Sequence, residues 1–153
     1  MPPAGYFIDA NLLVLLIVGR VGEQFITKHG RLQQFVVEDY RILRNLLDIV
    51  DQVFVTPNTL TETSNLLAQH GEPERSRFFD QLRSTIEESR EIQVVSEVAS
   101  KNREFRRLGL TDAALLEVTT VEMPLLTVDL DLYLAALTKD QDTAMNFRHI
   151  QNL

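Results

Sequence analysis

The chain has 153 residues, 44% hydrophobic and 24% charged, which suits one folded domain spanning residues 1–153 and excludes a disordered chain. It has no cysteine, which excludes disulfides and thiolate chemistry, and a net charge of −7, which excludes attraction of phosphates by the overall field. Contact with nucleic acid would need a local basic patch, or bound cations that reverse the sign of an acidic site.

The opening stretch reads as a short strand, Tyr6-Phe7-Ile8, followed by Asp9 and then a helix through Leu12–Val18 that is apolar nearly all round. Such a helix is buried in the domain or against a partner, and a mixture of core and dimer face is expected. Gly19 and Gly22 are expected to loosen its end. The apolar run is far shorter than the roughly 20 residues of a bilayer span. Met1-Pro2-Pro3-Ala4-Gly5 lacks the basic segment of a secretory signal, so a cytoplasmic location is expected, with no membrane partner.

From Arg31 to Asp51, Leu32, Phe35, Val36, Leu43, Leu46, Leu47 and Val50 recur at helical spacing. Val53-Phe54-Val55 is a second strand, ended by Thr56-Pro57. Helices are predicted over Thr59–Gln69, which carries Glu62, and over Pro73–Ser89. Ile92–Val95 reads as a third strand, followed by a helix from Ser96 to Leu108 that Gly109 ends. Thr111 reads as the N-cap of a helix beginning at Asp112. Pro124–Val128 is a fourth strand, then come Asp129 and a helix over Leu130–Leu137. Ala144–Phe147 with Ile150 is a weaker fifth strand.

Strands alternating with helical segments imply an α/β fold whose parallel sheet is covered on both faces. In such a sheet, strand ends and the starts of the following helices share one edge, where ligands bind. Asp9, Glu62, Asp112 and Asp129 all fall at such positions, with Asp131 two residues on. Taken singly, each has a plain structural reading, because acids favour helix starts for capping and dipole reasons. Taken together, converging carboxylates repel one another unless a divalent cation neutralises them. Oxygen-only donors favour Mg²⁺ or Mn²⁺.

These residues resemble the motifs of the PIN domain, a family of metal-dependent ribonucleases. Phe7-Ile8-Asp9-Ala10-Asn11-Leu12-Leu13 is similar to the family's opening motif, and Thr61-Glu62-Thr63-Ser64-Asn65-Leu66-Leu67 to its glutamate helix. Gly109-Leu110-Thr111-Asp112-Ala113-Ala114-Leu115 and Leu126-Thr127-Val128-Asp129-Leu130-Asp131 are similar to its third and fourth motifs. The resemblance covers nearly the whole chain and implies a three-layer α/β/α sandwich around a central parallel sheet of about five strands. It implies Asp9, Glu62, Asp112 and Asp129 as catalytic metal ligands and Asp131 as an extra or outer acid, with Asn11 and Thr127 in support. The implied activity is Mg²⁺- or Mn²⁺-dependent hydrolysis of RNA phosphodiesters. Small stand-alone members are often VapC-like toxins of bacterial toxin–antitoxin pairs. An antitoxin partner and a homodimer are therefore expected, although the aromatic often found after the fourth motif is replaced by Leu132.

Lys101, Arg103, Arg106 and Arg107 form a basic cluster before Asp112, read either as a phosphate-binding patch for the RNA substrate or as a solvated helix face. His29, His70 and His149 show no ligand spacing. A receiver-type phosphoacceptor domain would want a lysine at the end of the last strand, where Asn146-Phe147-Arg148 stands. A haloacid-dehalogenase-type phosphatase would want a second Asp where Asn11 stands. An RNA-processing nuclease without an antitoxin, and a catalytically silent RNA- or protein-binding module, are the other readings.

Overall fold

The structure, a computed structural model, describes residues 3–151; Met1 and Pro2, at the head of the opening stretch, lie outside them. The elements run β1 (Gly5–Ile8), α1 (Ala10–Val21), 3-10 turns at Glu23–Lys28 and Gly30–Leu32, α2 (Val37–Asp48), β2 (Gln52–Val55), α3 (Pro57–Leu67) and α4 (Glu74–Glu88). They continue with β3 (Arg90–Glu91), α5 (Ser96–Ala99), α6 (Phe105–Leu108), α7 (Leu110–Val118), β4 (Leu125–Thr127), α8 (Leu130–Leu137), β5 (Ala144–Asn146) and α9 (Phe147–Gln151). The strands form one five-stranded sheet, all parallel, in the order β3-β2-β1-β4-β5. Helices cover both faces, giving the three-layer α/β/α architecture. No helix among the described residues is long and apolar enough to cross a membrane.

Alternation along β1 assigns its side chains to the two layers. Tyr6 and Ile8 join a large core with α1, Leu43 and Leu47 of α2, and Phe78 and Leu82 of α4. Phe7 points the other way, against Phe54, Leu115, Leu116, Leu125 and Leu132. α1 is apolar all round because α2, α3 and α4 pack around it. Leu12 to Val18 are all buried within the chain, so this helix is core and leaves no dimer face. Gly19 does not loosen its end. It lies inside α1, where a Cβ would come within 2.1 Å of the Tyr40 ring. The absent side chain lets α1 and α2 approach.

Four other expectations are corrected. The helix expected from Arg31 begins at Val37, because the Asp39 carboxylate accepts the backbone N–H of Val36 at 2.9 Å and fixes the start there. The third strand is Arg90–Glu91, not Ile92–Val95. The apolar character of that run reflects packing, with Ile92 against the Phe7–Phe54 cluster and Val94 against Ala99, Ala113 and Ala114. The helix expected over Ser96–Leu108 is two short helices, α5 and α6, with a turn between them. Phe147 and Ile150 belong to α9, because Asn146 Oδ1 accepts the Arg148 N–H at 2.9 Å and turns the chain out of β5.

Candidate active site

The strand order reverses at β1. The chain steps outward from β1 to β2 and β3, then returns to place β4 on the other flank of β1. In open parallel sheets the crevice at such a switch point, beyond the carboxyl ends of the strands, is the ligand-binding position. Asp9 follows β1 and Asp129 follows β4, so the register of these two neighbours brings the acids together. Phe7 lies opposite Leu125 and Ile8 opposite Leu126.

Each of these two acids caps the helix that follows it. Asp9 Oδ1 accepts the Leu12 N–H at 3.0 Å, and Asp129 Oδ1 accepts the Leu132 N–H at 3.1 Å. Asp9 Oδ2 takes two further donors, the Thr127 hydroxyl and the Val128 N–H, the latter at 3.1 Å. The Thr127 oxygen in turn accepts the Asp129 N–H at 2.9 Å. Asp9 is only 6% exposed, and burial pushes its pKa up against the pull of these hydrogen bonds.

Glu62 comes from the second turn of α3, which Thr56 caps and Pro57 opens. Asp112 comes from the first turn of α7, whose start is set by Gly109 at φ +91° and not by Thr111. Neither the Glu62 nor the Asp112 side chain has a hydrogen bond or ion pair among the described residues. The Asp112 pKa is pushed up to about 7, first by burial and then by the charges of Asp129, Glu62 and Asp9. Asp9, Asn11, Glu62, Thr111, Asp112 and Asp129 line one small cavity of about 80 Å³. Four carboxylates from four elements thus share one cleft.

No protein-family model and no curated protein matches the chain. Among solved structures, the fold is similar to the crystal structure of PAE2754 from Pyrobaculum aerophilum. The two share 17% identity over 95% of this chain and 91% of that one, with a TM-score of 0.58. At that identity the likeness concerns the fold alone.

The donor set is all oxygen, and the mutual repulsion felt at Asp112 is what a hard divalent cation would relieve. The set therefore fits Mg²⁺ or Mn²⁺ in kind. Among the described residues, no three acids stand close enough to hold an ion as they are placed. Asp9 and Asp129 are tied by their capping bonds, whereas Glu62 and Asp112 have no such bonds to break before turning.

Other predicted residues are placed differently. Asn11 and Thr127 are at the cleft, Asn11 in its wall and Thr127 hydrogen-bonded to Asp9. Asp131 is not in the cleft wall; it is exposed and meets Arg107 at 3.6 Å across α6 and α8. Arg107 also holds Glu104 at 2.7 Å, and it is the member of the basic cluster whose charge couples to Asp129. Lys101 pairs with Glu97 at 3.6 Å, while Arg103 and Arg106 are exposed with no ion pair among the described residues. The four cations do not share one helix: Lys101 and Arg103 lie in the turn between α5 and α6, and Arg106 and Arg107 in α6.

Sequence reasoning missed an adjoining cavity of about 420 Å³, lined by Asn58, Thr61, Asn65 and, shared with the cleft, Glu62 and Thr111. The signal was present. Asn58, Thr61, Glu62 and Asn65 recur at the three- and four-residue spacing of one helix face.

Proposed function

We propose that this protein is a PIN-type ribonuclease, hydrolysing RNA phosphodiester bonds with Mg²⁺ or Mn²⁺. The observation that supports this most is the shared cleft of Asp9, Glu62, Asp112 and Asp129 at the switch point of a parallel sheet. A divalent cation bound there would supply an activated water and charge stabilisation at the phosphate. The protein's own contribution is orientation. Thr127 and Val128 hold Asp9 from one side while Leu12 holds it from the other. Among the described residues, the Asp112 and Glu62 side chains have no hydrogen-bond donor that a cation would have to displace. The neighbouring hydroxyl and amide face of α3 offers hydrogen bonds to ribose and phosphate oxygens without base selectivity. Arg107, close to Asp129, is the cation best placed to meet a phosphate at the cleft. Membership of a toxin–antitoxin pair, with an antitoxin partner, a cytoplasmic setting and a homodimer, extends this reading.

One observation favours a second reading, a silent RNA- or protein-binding module: no three of the described acids are gathered around a common point. Cleavage of mixed RNA decides between them. Activity with Mn²⁺ that EDTA abolishes, and that Asp112→Asn or Asp9→Asn lowers by about two orders of magnitude or more, supports the nuclease. Asp112→Asn is the sharper variant, because it breaks no hydrogen bond. Activity that survives both EDTA and the substitution rejects metal-dependent cleavage. RNA binding without cleavage supports the silent module. Native purification with a small bound protein would support the antitoxin pairing.

A further inference from the structure

A larger cavity lies elsewhere. It has a volume of about 700 Å³ and shares no residue with the acidic cleft. It opens at the β5 side of the sheet, between the start of β1, the segment entering β4, and β5 itself. Tyr6, Pro124, Met145 and Tyr133 form apolar and aromatic walls. Tyr133 packs edge-on against His149 at 5.7 Å, which stiffens one wall.

Two polar side chains here are more than nine-tenths buried and still have unused hydrogen-bonding capacity. Tyr6 is 4% exposed, and its hydroxyl has no hydrogen-bond partner among the described residues. That oxygen is not sealed from solvent, so the cavity is its outlet. Burial pushes its pKa up, so the phenol stays neutral and can donate or accept. Asn146 is 5% exposed; its carbonyl oxygen accepts the Arg148 N–H, while its amide nitrogen has no acceptor among the described residues. Neither the Tyr6 oxygen nor the Asn146 amide nitrogen is sealed off, so both are open to hydrogen bonding by a ligand in the cavity.

Among the described residues that line the cavity, the carboxylates of Glu122 and Asp142 supply the fixed charge. Neither has an ion pair among the described residues, and no lysine or arginine contributes to the wall. Aromatic faces add to the preference for positive charge. We propose that this cavity binds a small organic cation with a flat apolar body. Its charged head is held by Glu122, Asp142 and the Tyr6 hydroxyl, and its body lies against Tyr133 and Met145.

Benzamidine, benzamide and benzoate have similar shape and differ in charge, so they test this directly. The readout is amide shifts of Tyr6, Ala144 and Met145 in the isotopically labelled full chain. The titration is run in mildly alkaline buffer. Benzamidine is expected to bind, benzamide at least about threefold more weakly, and benzoate not at all. Tyr6→Phe keeps the ring and should weaken benzamidine by about threefold. The pair Glu122→Gln and Asp142→Asn, both on the exposed rim, should weaken it by about tenfold. Equal binding of all three probes, binding of none, or shifts confined to the Asp9 cleft would overturn the proposal. RNA cleavage is a separate readout, so the nuclease reading and this one fail independently.

Discussion

The hydroxyl of Thr127 donates to the buried Oδ2 of Asp9 across 118 residues of chain. It is the side-chain link between the two acids at the switch point, since the same oxygen accepts the Asp129 N–H. Removing it leaves a buried carboxylate short of one donor. Thr127→Val should cost about 1–3 kcal/mol of stability by denaturant unfolding, and Thr127→Ser should recover most of that. A Thr127→Val protein as stable as the original would show that the bond contributes nothing net.

Asp112 should make the metal-free protein less stable as pH rises. Its pKa is about 7 in the fold against an ordinary 3.8, so between those values the folded state keeps a proton that the unfolded chain has lost. The stabilisation is complete below the lower value and lost as pH climbs through the upper one. By linkage the loss amounts to roughly 2–4 kcal/mol. In EDTA, Asp112→Asn should flatten this decline and be the more stable protein above neutral pH. Chemical denaturation at several pH values measures it, and parallel curves for the two proteins would count against it.

His29 should make the fold acid-sensitive from another direction. It is buried, stacks on His70 at 5.2 Å, and has a ring Nε2 with no hydrogen-bond partner among the described residues. Burial first, then the charges of His70 and Arg31, pushes its pKa below the ordinary 6.5. The folded state therefore binds fewer protons, and stability present above 6.5 is lost as pH falls through the depressed value. His29→Phe should weaken this acid limb of the stability curve. An unchanged limb would assign the acid sensitivity to other groups.

Gly19→Ala should destabilise the protein by about 1–3 kcal/mol, because the new methyl group meets the flank of the Tyr40 ring, which is itself buried. A smaller residue at position 40 should offset part of that loss when combined with it. Thermal unfolding of the single and double variants gives the comparison. Simple additivity of the two effects would mean that the helices do not meet as described.

Much of the fold was legible because its signals are local. The apolar runs at Tyr6–Ile8, Val53–Val55 and Pro124–Val128 mark three strands. Helical periodicity marks α2, α3 and α4, and the acids after two of the strands cap the helices that follow. The misreadings fall where tertiary context overrides local pattern. Ile92–Val95 has the composition of a strand, yet β3 is the exposed pair Arg90–Glu91, because pairing with β2 and not propensity decides which residues form the edge. Asp131 has the same chemistry as Asp129 two residues earlier, but α8 turns it out towards Arg107.

The sequence by itself determined that four acids stand at strand ends and helix starts, since those positions depend on neighbours a few residues away. Only the tertiary structure decided that β4 pairs with β1, that Thr127 reaches Asp9, and that the Asp112 side chain has no hydrogen-bond partner among the described residues in a cleft with three other carboxylates. Strand order and register are set by hydrogen bonds between segments far apart in the chain, and no local pattern encodes them.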